Sequence, residues 1–397
     1  MKKAATFGPW SVVLLALISL GGCQRSDPVN PNLLQVDENS FEITGPFSHE
    51  NLTVFLLNSN EQDDRNFITL DQGLKDGVVK VNEQQGQAQV QQLEIDNQSD
   101  QYLFLQEGDR VVGGQQDRII ITSLVVPPKS GKMPLPSFCV EQGRWHGDKA
   151  FHHGMNAALA PKEVREASKV VGQQPAVWES VRGIKHSAET SIAVNAPNTN
   201  TSLNETLEAP QVKKLSDECA DALKGILDEH PRAVGVVIAV NGKIEEVNVY
   251  PNQKVLSQLY PRLLQSYALQ AALAKNQPQP EKTVEVADVR TFMTERKEQA
   301  EASKREVNGD NTLMLCPCDE KVECQTAYGG KVVHHQWLSK GEAAAKAEPG
   351  QQTGIGRQPG IQPQQPPMPA PQQLDNPPPE PAPRQQVQPQ RPQSRDN

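Results

Sequence analysis

"VGVVIAVNGKIEEVNVY" (Val234–Tyr250) carries the clearest fold signal in the chain. Two flanks rich in valine and isoleucine meet at Asn241-Gly242, the pair that best fills the two positive-φ positions of a type I′ turn. An antiparallel hairpin is expected, with Glu245 and Glu246 on its wet face. Helices bracket it. "LSDECADALKGILDEH" sets Leu215, Cys219, Leu223 and Leu227 four residues apart, on one helical face. "SQLYPRLLQSYALQAALAKN" and "VADVRTFMTERKEQAEASKR" read as two more amphipathic helices. "NTLMLCPC" and "GGKVVHHQWL" then close residues 213–340 as strands, so this half reads as α+β.

Upstream, residues 33–184 are mostly β. "FEITGPF", "LTVFLLN", "VVKVNE", "AQVQQLEIDN", "QYLFLQ", "RIIITSLVV" and "LPSFCVE" are short strands, and "FITLDQGLKDG" is a helical turn ended by glycine. The turns "DNQSDQ", "EGDR" and "PPKSGK" punctuate them as in an antiparallel sandwich or half-barrel. Val90, Leu93 and Ile95 face inward with one slip, read as a bulge. The Ser/Thr/Asn-rich stretch at 185–212 has no apolar period and reads as a linker. The expected class is therefore α+β, with an N-terminal β-sandwich-like half and a C-terminal α+β half in one globular region, 33–340.

Composition sets the ends apart. Lys2 and Lys3 precede "WSVVLLALISL" and then "LGGC" at Leu20 to Cys23, a basic flank, a short apolar core and small residues at a cleavage point. That pattern is a secretory signal, residues 1–22, not a spanning helix. A cysteine directly after it resembles the lipobox of bacterial lipoproteins. The resemblance implies lipidation of Cys23, a polar tether at 23–32, and a periplasm-facing position at the outer membrane, since Gln24 is not the retaining aspartate. Residues 341–397 change to proline and glutamine almost without aliphatics, a composition that cannot offset ordering entropy, so a disordered tail is expected. A net charge of -9 argues against nucleic acid, which needs a basic footprint.

"EGDRVVGGQQDRIIIT" (Glu107–Thr122) raises the chemical question. Gly113 and Gly114 let the backbone bend or approach closely. Arg118 then stands at the mouth of an apolar strand covered on both faces. Its guanidinium keeps its charge and so needs an anionic partner. One candidate is Glu141 on the next strand, brought back by an antiparallel turn; the other is a bound phosphate or carboxylate. In the second case Arg118 and Arg144 hold the anion, Trp145 stacks on a ring and Glu141 lines the pocket. Arginines beside Glu141 would depress its pKa, which favours binding over general-base catalysis.

These segments, with "GVVKVNE" and the Val234–Tyr250 hairpin, resemble the ADP-ribosylglycohydrolase- and rhodanese-phosphatase-associated protein domain. The resemblance spans most of 33–340 and is densest from Gly113 to Trp145. It places Gly113, Gly114, Gln115 and Arg118 in the family's glycine-rich segment ending in arginine. Cys139, Glu141, Arg144 and Trp145 fall in its Cys-x-Glu-x-x-Arg-Trp segment. It implies work near NAD and ADP-ribose metabolism, and names no cofactor.

Weaker signals remain. Cys316, Cys318, Cys324, His334 and His335 lack zinc-knuckle spacing, and a disulfide between Cys324 and Cys316 or Cys318 is preferred to a metal. His152 and His153 read as a loop pair. No nucleophile–base pair stands at readable spacing. Two functions follow: a lipid-anchored envelope protein binding a small anion at Gly113, Gly114, Gln115, Arg118, Glu141, Arg144 and Trp145; or an envelope interaction protein whose tail meets partners or crosses peptidoglycan.

Overall fold

The computed structural model describes residues 40–84, 91–143, 151–153, 158–192, 202–275, 283–295 and 302–341. The signal segment, Cys23, the Pro/Gln tail, Val90, Arg144 and Trp145 lie outside them.

The class is α+β, and its halves interlock. Strands β1 (Glu42–His49) and β2 (Leu52–Asn58) open the chain. They are followed by β3 (Phe67–Thr69), α1 (Leu70–Lys75), β4 (Val79–Glu83), β5 (Gln92–Asn97) and β6 (Tyr102–Leu105). Next come β7 (Arg110–Gly113), β8 (Arg118–Ile120), β9 (Leu124–Val126), β10 (Lys132–Cys139) and β11 (Phe151–His153). A helical stretch holds α2 (Lys162–Glu166), a π-helical turn at Ala167–Val171, α3 (Gln174–Ser191), α4 (Leu203–Leu207) and α5 (Pro210–Leu223). The hairpin is β12 (Ala233–Val240) and β13 (Lys243–Val249), with Asn241 at φ 49 and Gly242 at φ 70, as a type I′ turn demands. After α6 (Gln253–Ala274) and α7 (Val286–Thr294), strands β14 (Ser303–Asn308), β15 (Asn311–Pro317), β16 (Lys321–Tyr328) and β17 (Lys331–Ser339) complete it.

Among the described residues the strands form three sheets. The largest runs β1-β2-β12-β13-β17-β16-β15-β14, so the second strand pairs with a hairpin nearly two hundred residues later. Residues of α6, including Leu256, Leu259, Leu263 and Tyr267, cover one face of it, and Val289 and Met293 of α7 join the apolar cluster of the other. The six-stranded sheet runs β11-β7-β8-β10-β5-β4 and the three-stranded sheet β3-β6-β9. Ile120, Leu93 and Leu135 of the former bury against Leu103, Leu105 and Leu124 of the latter. The opposite face of the six-stranded sheet, Ile119 and Phe138, packs with Val177 and Val181 of α3.

Several expectations need correction. "RIIITSLVV" is two strands in two sheets, because the chain turns at Ile121–Ser123. The expected linker is helical at both ends, in α3 and in α4–α5, where Ser202 caps α4 by accepting from the Glu205 amide. The buried stripe of α5 is Val212, Ser216, Ala220 and Leu223, leaving Leu215 37% exposed. Pro210 starts that helix one turn earlier than expected, and packing on α6 selects the stripe that includes the small Ser216 and Ala220. Residues 303–305, read as helix, are strand β14. Phe151–His153 is a strand beside β7 rather than a loop.

Candidate functional site

Arg118 lies in the middle of the six-stranded sheet, between β7 and β10, and its side chain is fully buried. Its cross-strand neighbours are Val111 and Cys139. Alternation then places Arg118, Ile120 and Ser137 on the face that meets the three-stranded sheet. Nη1 donates to the carbonyl and to Oε1 of Gln116, both at 3.2 Å. Nη2 stands 3.8 Å from Glu83 Oε1, within Coulombic reach but too far for a hydrogen bond. Nε and Nη2, which share one edge of the guanidinium plane, make no hydrogen bond; neither do Glu83 Oε2 and Ser137 Oγ, all buried.

The backbone around Arg118 is shaped by its glycines. Gly113 sits at φ 112 and its amide donates to Asp117 Oδ1 at 2.9 Å. Gly114 sits at φ 55, and any Cβ there would collide with the Phe151 ring. The next amide, of Gln115, donates to Glu83 Oε1 at 3.0 Å and fixes that carboxylate beside Arg118. Glu141 does not pair with Arg118. Its Oε2 accepts from the Asp117 amide at 3.4 Å, and its carbonyl accepts from Gln116 Nε2. Antiparallel register explains the difference: Cys139 is opposite Arg118, so Glu141 lies two residues beyond the paired position. Glu83, on β4 at the sheet edge, takes its place. It lay in plain view in "GVVKVNE", but β10 and β5 stand between β4 and β8 in the sheet, and only the tertiary structure brings Glu83 to Arg118.

A second cluster joins the two halves. Lys162, Arg165 and Lys169 lie at i, i+3 and i+7, one helical face, and each meets a carboxylate in the interior. Lys162 Nζ donates to Glu245 Oε2 at 2.5 Å and to Ser339 Oγ at 2.7 Å. Arg165 forms a fork on Glu246, with both bonds at 2.7 Å. Lys169 Nζ stands 3.2 Å from Glu107 Oε1 and donates to Gln336. Tyr267 donates to Glu246, and Ser123 to Glu107. Glu245 and Glu246 are thus buried, against the expectation of a wet face. A bulge causes this: Ile238 pairs with Glu246 and Ala239 with Ile244, leaving Glu245 as the extra residue. The two neighbouring glutamates consequently both reach cations of α2. Burial opposes ionisation of Glu107, but Lys169 and Arg165 hold its pKa down to about 2. Burial pushes His334, beside Glu107, down to about 4. Next to this cluster, Asp109 pairs with Arg262 at 2.7 Å, while Arg110 donates to Asn204.

A family model described as the ARG and Rhodanese-Phosphatase-superfamily-associated Protein domain matches residues 40–338, well over half of the chain. The chain belongs to this family. Both the Arg118 recess and the α2 ion-pair cluster lie inside the family's matched span. No curated protein and no solved structure matches.

The remaining expected sites resolve simply. No disulfide forms among the described cysteines, contrary to the expected one. Cys324 pairs across the strands with Leu315, so Cys316 points to the other side; Cys324 packs with Val170 and Leu313, and Cys316 and Cys318 with Ala302. His335 binds Glu323 at 2.7 Å and His334 contacts Asn248 at 2.9 Å. Among the described residues no group of three or more His, Cys, Asp or Glu could hold a metal.

Proposed function

We propose that the protein is a lipid-anchored envelope protein whose folded region binds a small oxyanion-bearing ligand at Arg118. One observation carries this reading: the buried edge of the guanidinium formed by Nε and Nη2 has no hydrogen-bonded partner. That edge matches two oxygens of a carboxylate or phosphate. Leaving such donors unmade inside a protein is costly, so a ligand that fills the fork gains what the fold gives up. The family resemblance makes a nucleotide or ADP-ribose-like molecule the first to test.

Binding is favoured over catalysis by the thiol next to the fork. Burial raises the Cys139 pKa against the pull of Arg118, and Sγ donates to the Glu141 carbonyl at 2.9 Å. A thiol held protonated in this way is a poor nucleophile. Melting the purified full chain with and without ADP-ribose tests the reading. Stabilisation is expected in the unmodified protein and not in Arg118→Met; an equal shift in both would overturn it.

The anchor belongs to the same proposal. Lipidation at Cys23 holds the protein at the periplasmic side of the outer membrane, since each buried methylene contributes about 0.8 kcal/mol. Cys23→Ala is expected to release it from the membrane fraction. The tail serves as a spacer or partner contact, and in the Cys23→Ala background, where the anchor is gone, removal of residues 345–397 is expected to abolish the remaining co-purification with peptidoglycan or envelope proteins without shifting the melting temperature.

A further inference from the structure

We propose that Glu83 makes the Arg118 recess selective for anions that also carry a hydroxyl or ammonium donor. This rests on Arg118 being the anion site, and adds a second requirement that the ligand must meet. Glu83 is buried, its Oε1 accepts from the Gln115 amide at 3.0 Å, and that oxygen lies 3.8 Å from Arg118 Nη2. The other oxygen, Oε2, is buried without a hydrogen bond, as is Ser137 Oγ on the same sheet face as Arg118. Cation, unsatisfied acceptor and hydroxyl therefore occur within one small buried region.

A simple anion seated on the Arg118 fork would meet the Glu83 carboxylate at short range. Like charges in a poorly solvated site repel strongly, and the ligand would leave Oε2 still unsatisfied. A ligand with a donor next to its anionic group reverses both effects, because its O–H or N–H binds Oε2 and screens the repulsion. Ser137 Oγ can accept from or donate to the same molecule. Recognition built on a buried polar group rejects analogues that lack the matching partner far better than an apolar wall does.

Calorimetry on the full-length protein with two matched probes tests this. Glycerol 3-phosphate and propyl phosphate share the phosphate and the three-carbon chain, and only the first carries hydroxyls. Glycerol 3-phosphate is expected to bind the unmodified protein at least tenfold more tightly. Glu83→Gln keeps the oxygen that accepts from Gln115 but removes the charge. In that variant propyl phosphate is expected to gain affinity until the two probes lie within about threefold, in line with the loss of one charge–charge repulsion. Equal binding of both probes to the unmodified protein overturns the selectivity and leaves the anion site standing. Failure of both probes to bind, with Arg118→Met indistinguishable from the unmodified protein, overturns the anion site itself. The first comparison needs no variant, so it stands whether or not Glu83→Gln folds.

Discussion

Gly114 shows how a single residue sets the geometry of the recess. Its φ of 55 suits glycine, and the space where a Cβ would sit belongs to the Phe151 ring. Gly114→Ala therefore has to strain the backbone and displace an aromatic ring together. A loss of about 2 kcal/mol or more in denaturant unfolding is expected, and a loss under half of that would show that the turn relaxes. Gly108 is under similar pressure, since its missing side chain leaves room for the stem of Arg165. Both glycines were visible as turn signals; the neighbours that require them come from strands and helices far away in sequence.

At the scale of elements, α2 with its π-helical turn is the most informative piece. π-Helical turns are rare and often mark functional positions, and this one carries Lys169 to Glu107. Arg165→Met would leave Glu246 buried without its fork and Glu107 with Lys169 as its nearest cation. Breaking a buried pair from one side costs about 3–5 kcal/mol, so a large fall in stability is expected by denaturant titration. Combining Arg165→Met with Glu246→Leu should recover part of it, because an apolar pair carries no stranded charge. The same cluster sets the acid limit. The folded pKa of Glu107, about 2, lies below its ordinary 4.5, so its stabilisation is complete above 4.5 and is lost as pH falls toward 2. His334 has a folded pKa of about 4 against 6.5, so the unfolded chain takes up that proton first and stability starts to fall below 6.5. Melting temperature is expected to drop in two stages, between pH 6.5 and 4 and then between 4.5 and 2. In His334→Asn the first stage should vanish; its survival would assign it to another group.

For the whole molecule, the interlocked topology makes the two halves one folding unit. β2, with β1 on its outer side, finds its partner in β12, and the cations of α2 answer carboxylates from both halves. A single cooperative unfolding transition is expected, and calorimetric and van't Hoff enthalpies that disagree would refute it. The described cysteines form no disulfide, so unfolding in denaturant without reductant should expose the thiols of Cys139, Cys219, Cys316, Cys318 and Cys324 to titration. Much of this architecture was legible locally. The Asn241-Gly242 turn, the long amphipathic helix α6 and most short strands follow from residue preferences that act over a few positions. Arg118 was legible too, because a permanent cation among isoleucines demands an answer wherever it sits. What answers it was not. Register carried Glu141 past it and the tertiary course of the sheet brought Glu83 in from beyond two intervening strands, a bulge turned Glu245 and Glu246 inward, and strand pairing separated Cys316 from Cys324. Short-range sterics and hydrophobic period determine which elements form, whereas partner choice depends on register and sheet order, which arise only when segments distant in sequence compete to bury the same surface.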